Sequence, residues 1–387
     1  MEKVLEKIKK NGRSFQGLLP QCKMKSDGSF VLNHGGNWTD GFYIGVLNLA
    51  YLLSGDEEFR AMAKGYDDFF SLRIQNTQKI NAENKFLPLD HDVGMIFLPS
   101  IGFAHTMDPQ EKTLDILRRA ADVLVDRFHE KGGFIRAWDT WDWDKDPEFI
   151  EEKKGKAIID SMLNIPLLFQ VSKHTGDQKY YEVGLRHAHT MADNIVRADG
   201  STYHSYNFDP VTGAPRRGAT VQGYSDESCW SRGQAWAAYG FALAYKYTGC
   251  RKFLETAEKT AKYFMEHLGC VDMPCWDFAA ADQVFAPWDS SAGLICASGL
   301  LELHELTGKK EHLDSALRLL KAVERFCLTT DYENCQPLIL HGCVGTAYSA
   351  ENPSELKVRV IDQALVYADY FYLECKLKLS RCKVRIF

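Results

Sequence analysis

The chain has 387 residues, of which 45% are hydrophobic and 12% are aromatic, so it can build a large core and is not intrinsically disordered. The formal net charge is −6 and there is no basic run, which argues against nucleic acid as a partner. No stretch has the length and apolarity of a membrane span, and the first ten residues lack the apolar core of a signal peptide. The eleven cysteines lack zinc-site spacing, which predicts free thiols in a reducing cytoplasm.

Weakly repeated helical hairpins run along the chain. Four apolar helical patterns end at Gly55, Gly176, Gly249 and Gly308, and glycine is the expected residue just after a helix. The apolar patterns predict six inner helices at about 40–54, 92–106, 160–175, 231–248, 290–306 and 362–378. More charged amphipathic patterns predict six outer helices at about 2–10, 57–70, 111–129, 178–196, 252–267 and 310–326.

This alternation predicts an all-α fold, an (α/α)6 barrel that spans 1–387 as a single domain. An open helical solenoid is the alternative for such repeats. Long aromatic loops precede the inner helices at 72–91, 131–158, 199–229, 270–289 and 327–361. These loops would gather at one end of a closed ring, which favours the barrel, and loops of this length are usually functional.

Aspartates recur where the inner helices are expected to begin. Helix capping is the simpler interpretation of three of them, Asp40, Asp289 and Asp362. Asp160 follows two isoleucines, whose apolar side chains raise a carboxyl pKa, whereas a helix N-terminus lowers it. A general acid at neutral pH needs the first effect to dominate. Asp92 and Asp160 facing one cavity would match the carboxyl pair of a glycosidase.

The segment 224–236 combines two indoles with a guanidinium. Arg232 and Trp236 lie at i and i+4 and would share one helix face. Arg232 can bind a carboxylate through two parallel hydrogen bonds, and Trp230 and Trp236 can stack on a flat sugar ring. A helix start with a structural arginine is the alternative interpretation.

The loops offer further candidates for a sugar site. Trp138 is the best aromatic contact, whereas Trp141 and Trp143 are interpreted as residues that fill the loop. His204 and Gln222 are isolated polar candidates. The twelve histidines show no metal-ligand pattern, and those of the outer helix at 178–196, His187 and His189, are predicted to lie at the surface.

Several motifs, in order along nearly the whole chain, resemble those of the unsaturated glucuronyl hydrolases, bacterial enzymes that act on fragments left by polysaccharide lyases. The motifs are Trp38-Thr39-Asp40-Gly41-Phe42, His91-Asp92-Val93-Gly94, Phe134-Ile135-Arg136-Ala137-Trp138, Ile159-Asp160-Ser161-Met162-Leu163-Asn164 and Trp230-Ser231-Arg232-Gly233-Gln234-Ala235-Trp236. An ordered set is much more specific than any one motif. The resemblance implies the family's (α/α)6 barrel, in agreement with the hairpin pattern.

Matched motif by motif, the resemblance implies that Asp160 is the catalytic acid and base and that Asp92 holds the sugar hydroxyls. It implies a substrate pocket lined by Phe42, Trp138, His204, Gln222, Trp230, Arg232 and Trp236. The implied reaction hydrates the C4=C5 double bond of a 4,5-unsaturated uronic acid at the non-reducing end of an oligosaccharide, most simply a glycosaminoglycan fragment. This chemistry requires no metal or organic cofactor.

The sequence departs from the family pattern in three places. Tyr43 stands where a tryptophan is expected, and Tyr367-Ala368-Asp369-Tyr370 replaces the usual G-D-Y. Some members bind a 6-sulfate through an S-x-x-S-x-K stretch, which is matched only loosely by Ser349, Ser354 and Lys357. The resemblance therefore predicts neither the sulfation nor the linkage of the substrate.

Three alternatives stand beside this reading. The unsaturated rhamnogalacturonyl hydrolases, which act on pectin fragments, share fold and chemistry, but their motif reads more like W-A-R-G-N-G-W, and Ser231, Gln234 and Ala235 favour the glucuronyl type. The second alternative is an inverting glycosidase of saturated sugars that uses Asp92 and Asp160. The third is a non-catalytic carbohydrate-binding protein built on a helical ring.

Overall fold

The computed structural model describes residues 1–75, 88–140, 145–269, 271–280, 286–349, 357–380 and 382–387. In chain order its α-helices are α1 (Glu2–Phe15), α2 (Asp40–Ser54), α3 (Glu57–Lys64), α4 (Asp67–Arg73), α5 (Val93–Phe97), α6 (Phe103–Met107), α7 (Glu111–Asp126), α8 (Pro147–Lys153), α9 (Pro166–Thr175), α10 (Gln178–Asn194), α11 (Ser231–Thr248), α12 (Arg251–Glu266), α13 (Ser290–Thr307), α14 (Lys310–Phe326) and α15 (Val366–Lys378). Among the described residues no helix is both long enough and apolar enough to cross a membrane.

The helices form two concentric layers. The inner ring consists of α2, then α5 and α6, then α9, α11, α13 and α15, and α15 packs against α2 to close it. The outer layer consists of α1, then α3 and α4, then α7, α10, α12 and α14. The predicted all-α fold, an (α/α)6 barrel, is confirmed. The inner helices are buried on nearly all sides, whereas the outer helices bury one face each.

Glycines allow the inner segments to approach each other closely. A Cβ atom at Gly94 of α5 would lie 2.5 Å from the Cα atom of Asn164 in the next inner segment. A Cβ at Gly240 of α11 would lie 2.4 Å from the Cβ of Met162. Both distances are shorter than a normal van der Waals contact, so only glycine, which has no Cβ, fits at these two positions of the inner ring.

The four glycines predicted to end inner helices do so. Gly55, Gly176, Gly249 and Gly308 follow α2, α9, α11 and α13 with φ values of 73°, 76°, 68° and 71°. This left-handed conformation carries little cost for glycine and ends the helix at a defined residue.

Three inner segments differ from the regular helices that the sequence predicts. A π-helical turn at Leu98–Gly102 separates α5 from α6, and a 3₁₀ turn at Ile159–Leu163 precedes α9. The last inner helix begins at Val366 rather than at 362, because Asp362 has a φ of 52° and cannot start a helix.

Small antiparallel sheets occupy the loops that precede the inner helices. The strands are β1 (Leu19–Met24), β2 (Phe30–Asn33), β3 (Phe128–His129), β4 (Phe134–Ile135), β5 (Lys156–Ile158), β6 (Ser205–Phe208) and β7 (Pro215–Ala219), and they pair as β1-β2, β3-β4 and β5-β6-β7. Strand β5 leads directly into the 3₁₀ turn at Ile159–Leu163. The pairing of Ile158 with Ser205 brings this turn next to the residue before β6, His204.

Candidate active site

A cavity of about 500 Å³ lies at the end of the barrel where the inner helices begin. Its lining residues are Gln21, Cys22, Lys23, Asn37, Trp38, Thr39, Asp90, His91, Asp92, Trp138, Ile158, Asp160, Gln222, Val344 and Tyr367. Four of the nine site residues predicted from the sequence are in this set: Asp92, Trp138, Asp160 and Gln222. The other five, Phe42, His204, Trp230, Arg232 and Trp236, are buried.

Asp160 lies in the 3₁₀ turn and reaches the cavity with a side chain that is almost fully buried. Burial, together with the nearby Asp92 carboxyl, raises the pKa of Asp160 to about 7, although His91 and Arg232 act in the opposite direction. Its Oδ2 atom is buried and has no hydrogen-bond partner among the described residues. Asp160 can therefore hold a proton at neutral pH and present it to a bound molecule.

Asp92 is the N-cap residue of α5 and faces the same cavity. Burial and the neighbouring Asp90 raise the pKa of Asp92 well above its ordinary value. The side-chain amide of Asn164 lies 3.4 Å from Oδ1 of Asp92 and donates to the backbone oxygen of Asp160 over 3.2 Å. Asn164, part of a motif noted in the sequence but not predicted as a site residue, thus connects the two acidic residues.

The hydrogen bonds of two buried histidines define their tautomers. Nδ1 of His204 accepts the backbone N–H groups of Val221 and Gln222 at 2.9 and 3.2 Å, so a neutral His204 carries its hydrogen on Nε2. Burial, together with the charge of Arg232, lowers the pKa of His204 to about 3, which keeps the ring neutral. The Nε2 atom lies 3.8 Å from Oδ2 of Asp160. His204 therefore directs an N–H donor toward the predicted acid.

His91 shows the opposite arrangement. Its Nδ1 lies 2.7 Å from the carbonyl oxygen of Ala137, which can only accept, so the ring donates from Nδ1. In the neutral tautomer Nε2 is an acceptor, 3.3 Å from Oδ1 of Asp92. A protonated Asp92, in keeping with its raised pKa, can donate to this nitrogen.

Arg232 does not project freely into the cavity. Its side chain is 2% exposed, and its guanidinium pairs with the fully buried carboxylate of Asp289. The NH2 group donates to Oε1 of Gln222 at 3.1 Å and to the carbonyl oxygen of Val344 at 3.3 Å. Arg232 thus binds a carboxylate of the protein, that of Asp289, and not one of a substrate. It contacts the lining residues Gln222 and Val344 from the side facing away from the cavity.

The aromatic surface of the cavity differs from the one suggested by the sequence. Trp38, Trp138 and Tyr367 line it, and the Trp38 and Tyr367 rings are 5.1 Å apart. The W-T-D-G-F motif contained Trp38, so the sequence did offer a signal for it.

Trp230 and Trp236, expected to stack on a sugar, lie deeper in the protein. Trp236 is fully buried and packs on Phe371 with ring centres 5.6 Å apart, and Phe42 is fully buried as well. Trp230 is 2% exposed and is covered by the guanidinium of Arg232 at 4.6 Å. In this structure these rings support the wall rather than forming its surface.

The prediction that His187 lies at the surface is wrong. Its side chain is fully buried on the inward face of α10. Nδ1 accepts the N–H of Ile135 at 3.0 Å, and Nε2 lies 2.7 Å from Oγ of Ser161. His187 therefore ties β4 to the 3₁₀ turn that carries Asp160. Of the other loop residues considered above, Trp141, Trp143 and Ser354 lie outside the described residues.

Among the described residues Asp90, His91 and Asp92 place one potential metal-ligand atom each within 4.8 Å of one another. The hydrogen bond of His91 Nδ1 to Ala137 leaves Nε2 as its ligand atom, and this nitrogen already faces Asp92. This buried Nε2 makes no hydrogen bond among the described residues, so it is open to a proton carried by Asp92.

A cavity that combines two protonatable carboxyls with aromatic rings fits the acid–base chemistry of a carbohydrate-cleaving enzyme. The chain belongs to Glycosyl Hydrolase Family 88, whose family model matches residues 8–272. It is therefore a glycoside hydrolase.

Similar proteins cover nearly the whole chain. The unsaturated chondroitin disaccharide hydrolase of Streptococcus pyogenes serotype M1 is 31% identical over 386 residues, which are 98% of this chain and 90% of that protein. The unsaturated glucuronyl hydrolase of Bacillus sp. strain GL1 is 33% identical over 363 residues, 92% of this chain and 90% of that protein. The solved structure of the Bacillus enzyme, described as responsible for the degradation of glycosaminoglycan, has a TM-score of 0.86 and covers 98% of this chain and 96% of that chain. A solved unsaturated glucuronyl hydrolase described as specific for heparin is 28% identical, with a TM-score of 0.81, and covers 97% of this chain and 95% of that chain.

Proposed function

We propose that this glycoside hydrolase removes the 4,5-unsaturated uronic acid from the non-reducing end of glycosaminoglycan fragments made by polysaccharide lyases. The observation that carries the proposal is Asp160, a buried carboxyl that faces the cavity beside Asp92 and whose pKa is raised to about 7. The names of the relatives support the substrate class, since they describe enzymes of unsaturated glucuronyl and chondroitin disaccharide substrates.

The reaction begins with proton transfer from Asp160 to C4 of the substrate. The double bond belongs to a vinyl ether, so protonation at C4 leaves the positive charge at C5, shared with the ring oxygen. The Asp160 carboxylate then accepts a proton from the water that adds to C5. Because the same group gives and regains one proton, it is ready for the next cycle.

Cleavage follows without attack at the anomeric carbon. Water addition produces a hemiketal at C5, whose C5–O bond to the ring oxygen breaks to give a ketone. The ring oxygen remains on C1 as a hydroxyl, so C1 becomes a hemiacetal and expels the next sugar as an alcohol. These steps use proton transfers and one water, with no redox change.

The other cavity residues bind and orient the sugar. Asp92 is proposed to hold sugar hydroxyls, and Trp38, Trp138 and Tyr367, which line the same cavity, to offer flat faces to the half-chair ring. His204 offers an N–H donor 3.8 Å from Asp160, and Gln222 offers its amide. Phe42, Trp230 and Trp236 are proposed to support this pocket from behind.

We further propose that the barrel acts as one catalytic domain in the cytoplasm. The buried thiols of Cys229, Cys296 and Cys375 are free, which fits a reducing compartment. The imported substrate would be a small unsaturated oligosaccharide rather than a polymer.

The deciding experiment follows the loss of the double-bond ultraviolet absorbance with unsaturated chondroitin, hyaluronan, heparin and pectin oligosaccharides. We expect the glycosaminoglycan fragments to be consumed and the matching saturated glucuronides to be spared. Preference for the pectin fragment would assign the enzyme to rhamnogalacturonan. Release of glucuronic acid from the saturated compounds alone would replace hydration by ordinary glycoside hydrolysis.

A further inference from the structure

A buried ion pair lies behind the cavity, between Asp289 at the start of α13 and Arg232 in the first turn of α11. The two side chains are 0% and 2% exposed, and neither lines the cavity. We infer that Asp289 is a positioning residue for the hydrolysis, which acts through Arg232 on the cavity wall and on the charge near Asp160. The inference rests on the proposed function, because it concerns the same site.

Asp289 is held rigidly on α13. Its Oδ1 atom accepts the backbone N–H of Ser291 at 3.2 Å and the Ser291 hydroxyl at 2.6 Å, while Oδ2 pairs with Arg232. The predicted capping role is therefore present, but it uses only one of the two oxygens. Arg232 sits near the N-terminus of α11, where the helix dipole disfavours a cation, so a buried counterion is needed there.

Through its own hydrogen bonds Arg232 fixes two residues that line the cavity, Gln222 and Val344. It donates to the carbonyl oxygens of Cys343 at 2.7 Å and Val344 at 3.3 Å, and to Oε1 of Gln222 at 3.1 Å. Since Oε1 of Gln222 is engaged, its NH2 group is the part of the amide left for the cavity. Arg232, anchored by Asp289, thus orients Gln222 so that its NH2 group is free to donate to the sugar.

The Asp289–Arg232 pair also contributes to the electrostatic potential at Asp160. The charged and titratable groups that face Asp160 come from three elements besides its own: Asp92 and His91 at the start of α5, His204 before β6, and Arg232 on α11. Arg232 favours the ionised form of Asp160. The Asp289 carboxylate is paired with the same guanidinium, so we expect its counter-charge to weaken this influence. Asp289 thus helps Asp160 to keep the proton that the first step consumes.

The test compares the pH dependence of kcat/KM in wild type and Asp289→Asn, with unsaturated chondroitin disaccharide as substrate. Asn keeps the shape of the side chain but leaves the charge of Arg232 unbalanced. In wild type kcat/KM should decline on the alkaline side of its optimum as Asp160 loses its proton. In Asp289→Asn we expect this alkaline limb to move to lower pH, by a few tenths of a unit to about one unit, and kcat/KM at its optimum to fall about tenfold to a hundredfold. In Asp289→Asn/Arg232→Gln, where both charges are absent, the limb should return toward the wild-type position while kcat/KM stays low.

Glu302→Gln is the matched control. Glu302 also lies on α13, is 2% exposed, and pairs with the buried Lys378 over 2.9 Å, but it belongs to the other end of the helix. The Glu302→Gln variant should lower Tm without moving the alkaline limb of the pH profile of kcat/KM. An unshifted limb in Asp289→Asn, with activity like that of Glu302→Gln at equal folded protein, would overturn the inference and leave Asp289 as a cap alone.

The double variant also decides the matter if Asp289→Asn does not fold, because removing both partners leaves no unpaired buried charge. A folded double variant with wild-type kcat/KM contradicts the positioning role, and one with a drop of tenfold or more supports it. Failure of the proposed function is distinguishable, since the wild-type enzyme would then not consume the unsaturated disaccharide at all.

Discussion

Asp160 and Asp369 are buried aspartates in similar positions that do different work. Each lies in the first turn of an inner segment, and burial raises the pKa of each to about 7. Asp369 accepts the backbone N–H groups of Leu338 and Ile339 at 3.1 and 2.9 Å. Asp160 has an oxygen without a partner and faces the cavity. One carboxyl therefore stabilises a loop, and the other is available for chemistry.

Exchanging each of these aspartates for asparagine should separate activity from stability. Asp160→Asn should lower kcat by about 10²–10⁴-fold without lowering Tm, because the amide keeps the shape of the side chain but cannot transfer the proton. Asp369→Asn should keep kcat and lower the free energy of unfolding by about 1–3 kcal/mol, because an amide NH2 cannot accept the loop N–H groups. The ultraviolet assay and thermal unfolding measure the two effects. Near-wild-type turnover in Asp160→Asn would place the acid elsewhere.

The raised pKa of Asp160 also predicts the pH dependence of the enzyme. The first step needs the protonated carboxyl, so kcat/KM should fall above about pH 7, toward a tenfold loss per pH unit. This decline of kcat/KM at alkaline pH reflects the coupled titration of Asp160 and Asp92 rather than that of one residue. A kcat/KM that still increases between pH 7 and 9 would contradict this assignment.

The same carboxyl should make stability depend on pH. The folded protein keeps the Asp160 proton up to about pH 7, whereas the unfolded chain loses it near 3.8. The folded state therefore binds more protons within this window, and its stability decreases as pH rises through it. Asp160→Asn removes this contribution, so its Tm should decline less than that of wild type between pH 4 and 7. Parallel Tm curves for the two proteins would argue against the raised pKa.

At the level of helices and turns, the sequence predicts regular features well and irregular ones poorly. The ends of α2, α9, α11 and α13 follow from apolar periodicity and a glycine cap, both of which are local signals. The π-helical turn at Leu98–Gly102 and the 3₁₀ turn at Ile159–Leu163 depend on packing between neighbouring inner segments, which no local pattern records. The short strands escaped prediction because two to six residues are too few to show a period.

The close contact between α5 and the 3₁₀ turn should control the separation of the two acidic residues. In Gly94→Ala the new Cβ would lie 2.5 Å from the backbone of Asn164, so the turn with Asp160 must move away from Asp92. We expect a loss of about 1–3 kcal/mol in stability and a drop of about tenfold to a hundredfold in kcat/KM. The measurements are thermal unfolding and the ultraviolet assay.

Gly293→Ala is the control for this change. Gly293 also lies in the first turns of an inner helix, but its new Cβ would meet Pro274 and Val323 at ordinary distances of 3.5 and 3.6 Å. This variant should keep wild-type activity and gain slightly in stability, since alanine is the better helix former. If the two variants behave alike, the close contact does not position the carboxyls.

At the scale of the whole molecule, the candidate site depends on long-range partners that a sequence does not reveal. The sequence motifs predicted Asp92, Trp138, Asp160 and Gln222 as pocket residues, and all four line the cavity. The environment of Arg232 could not be predicted, because its counterion is 57 residues away, on another helix. From the sequence Arg232 was expected to bind the carboxylate of the substrate, whereas in the folded protein it binds the carboxylate of Asp289.

The net charge of −6 predicts how the enzyme meets an anionic substrate. The uronate approaches a negatively charged protein. Three carboxyl groups, those of Asp90, Asp92 and Asp160, line the cavity, and burial raises the pKa values of the last two. Lys23 is the single lysine or arginine among the described lining residues. Screening weakens like-charge repulsion over the Debye length of about 10 Å at 0.1 M salt. We therefore expect kcat/KM for the unsaturated chondroitin disaccharide to stay level or to increase, by no more than a few-fold, as sodium chloride is raised from about 20 to 200 mM. Glu302→Gln, altered far from the cavity, should show the same salt dependence. A steep fall in kcat/KM with salt would instead reveal attractive steering by cations, and Lys23→Gln would then identify whether the cavity lysine supplies it.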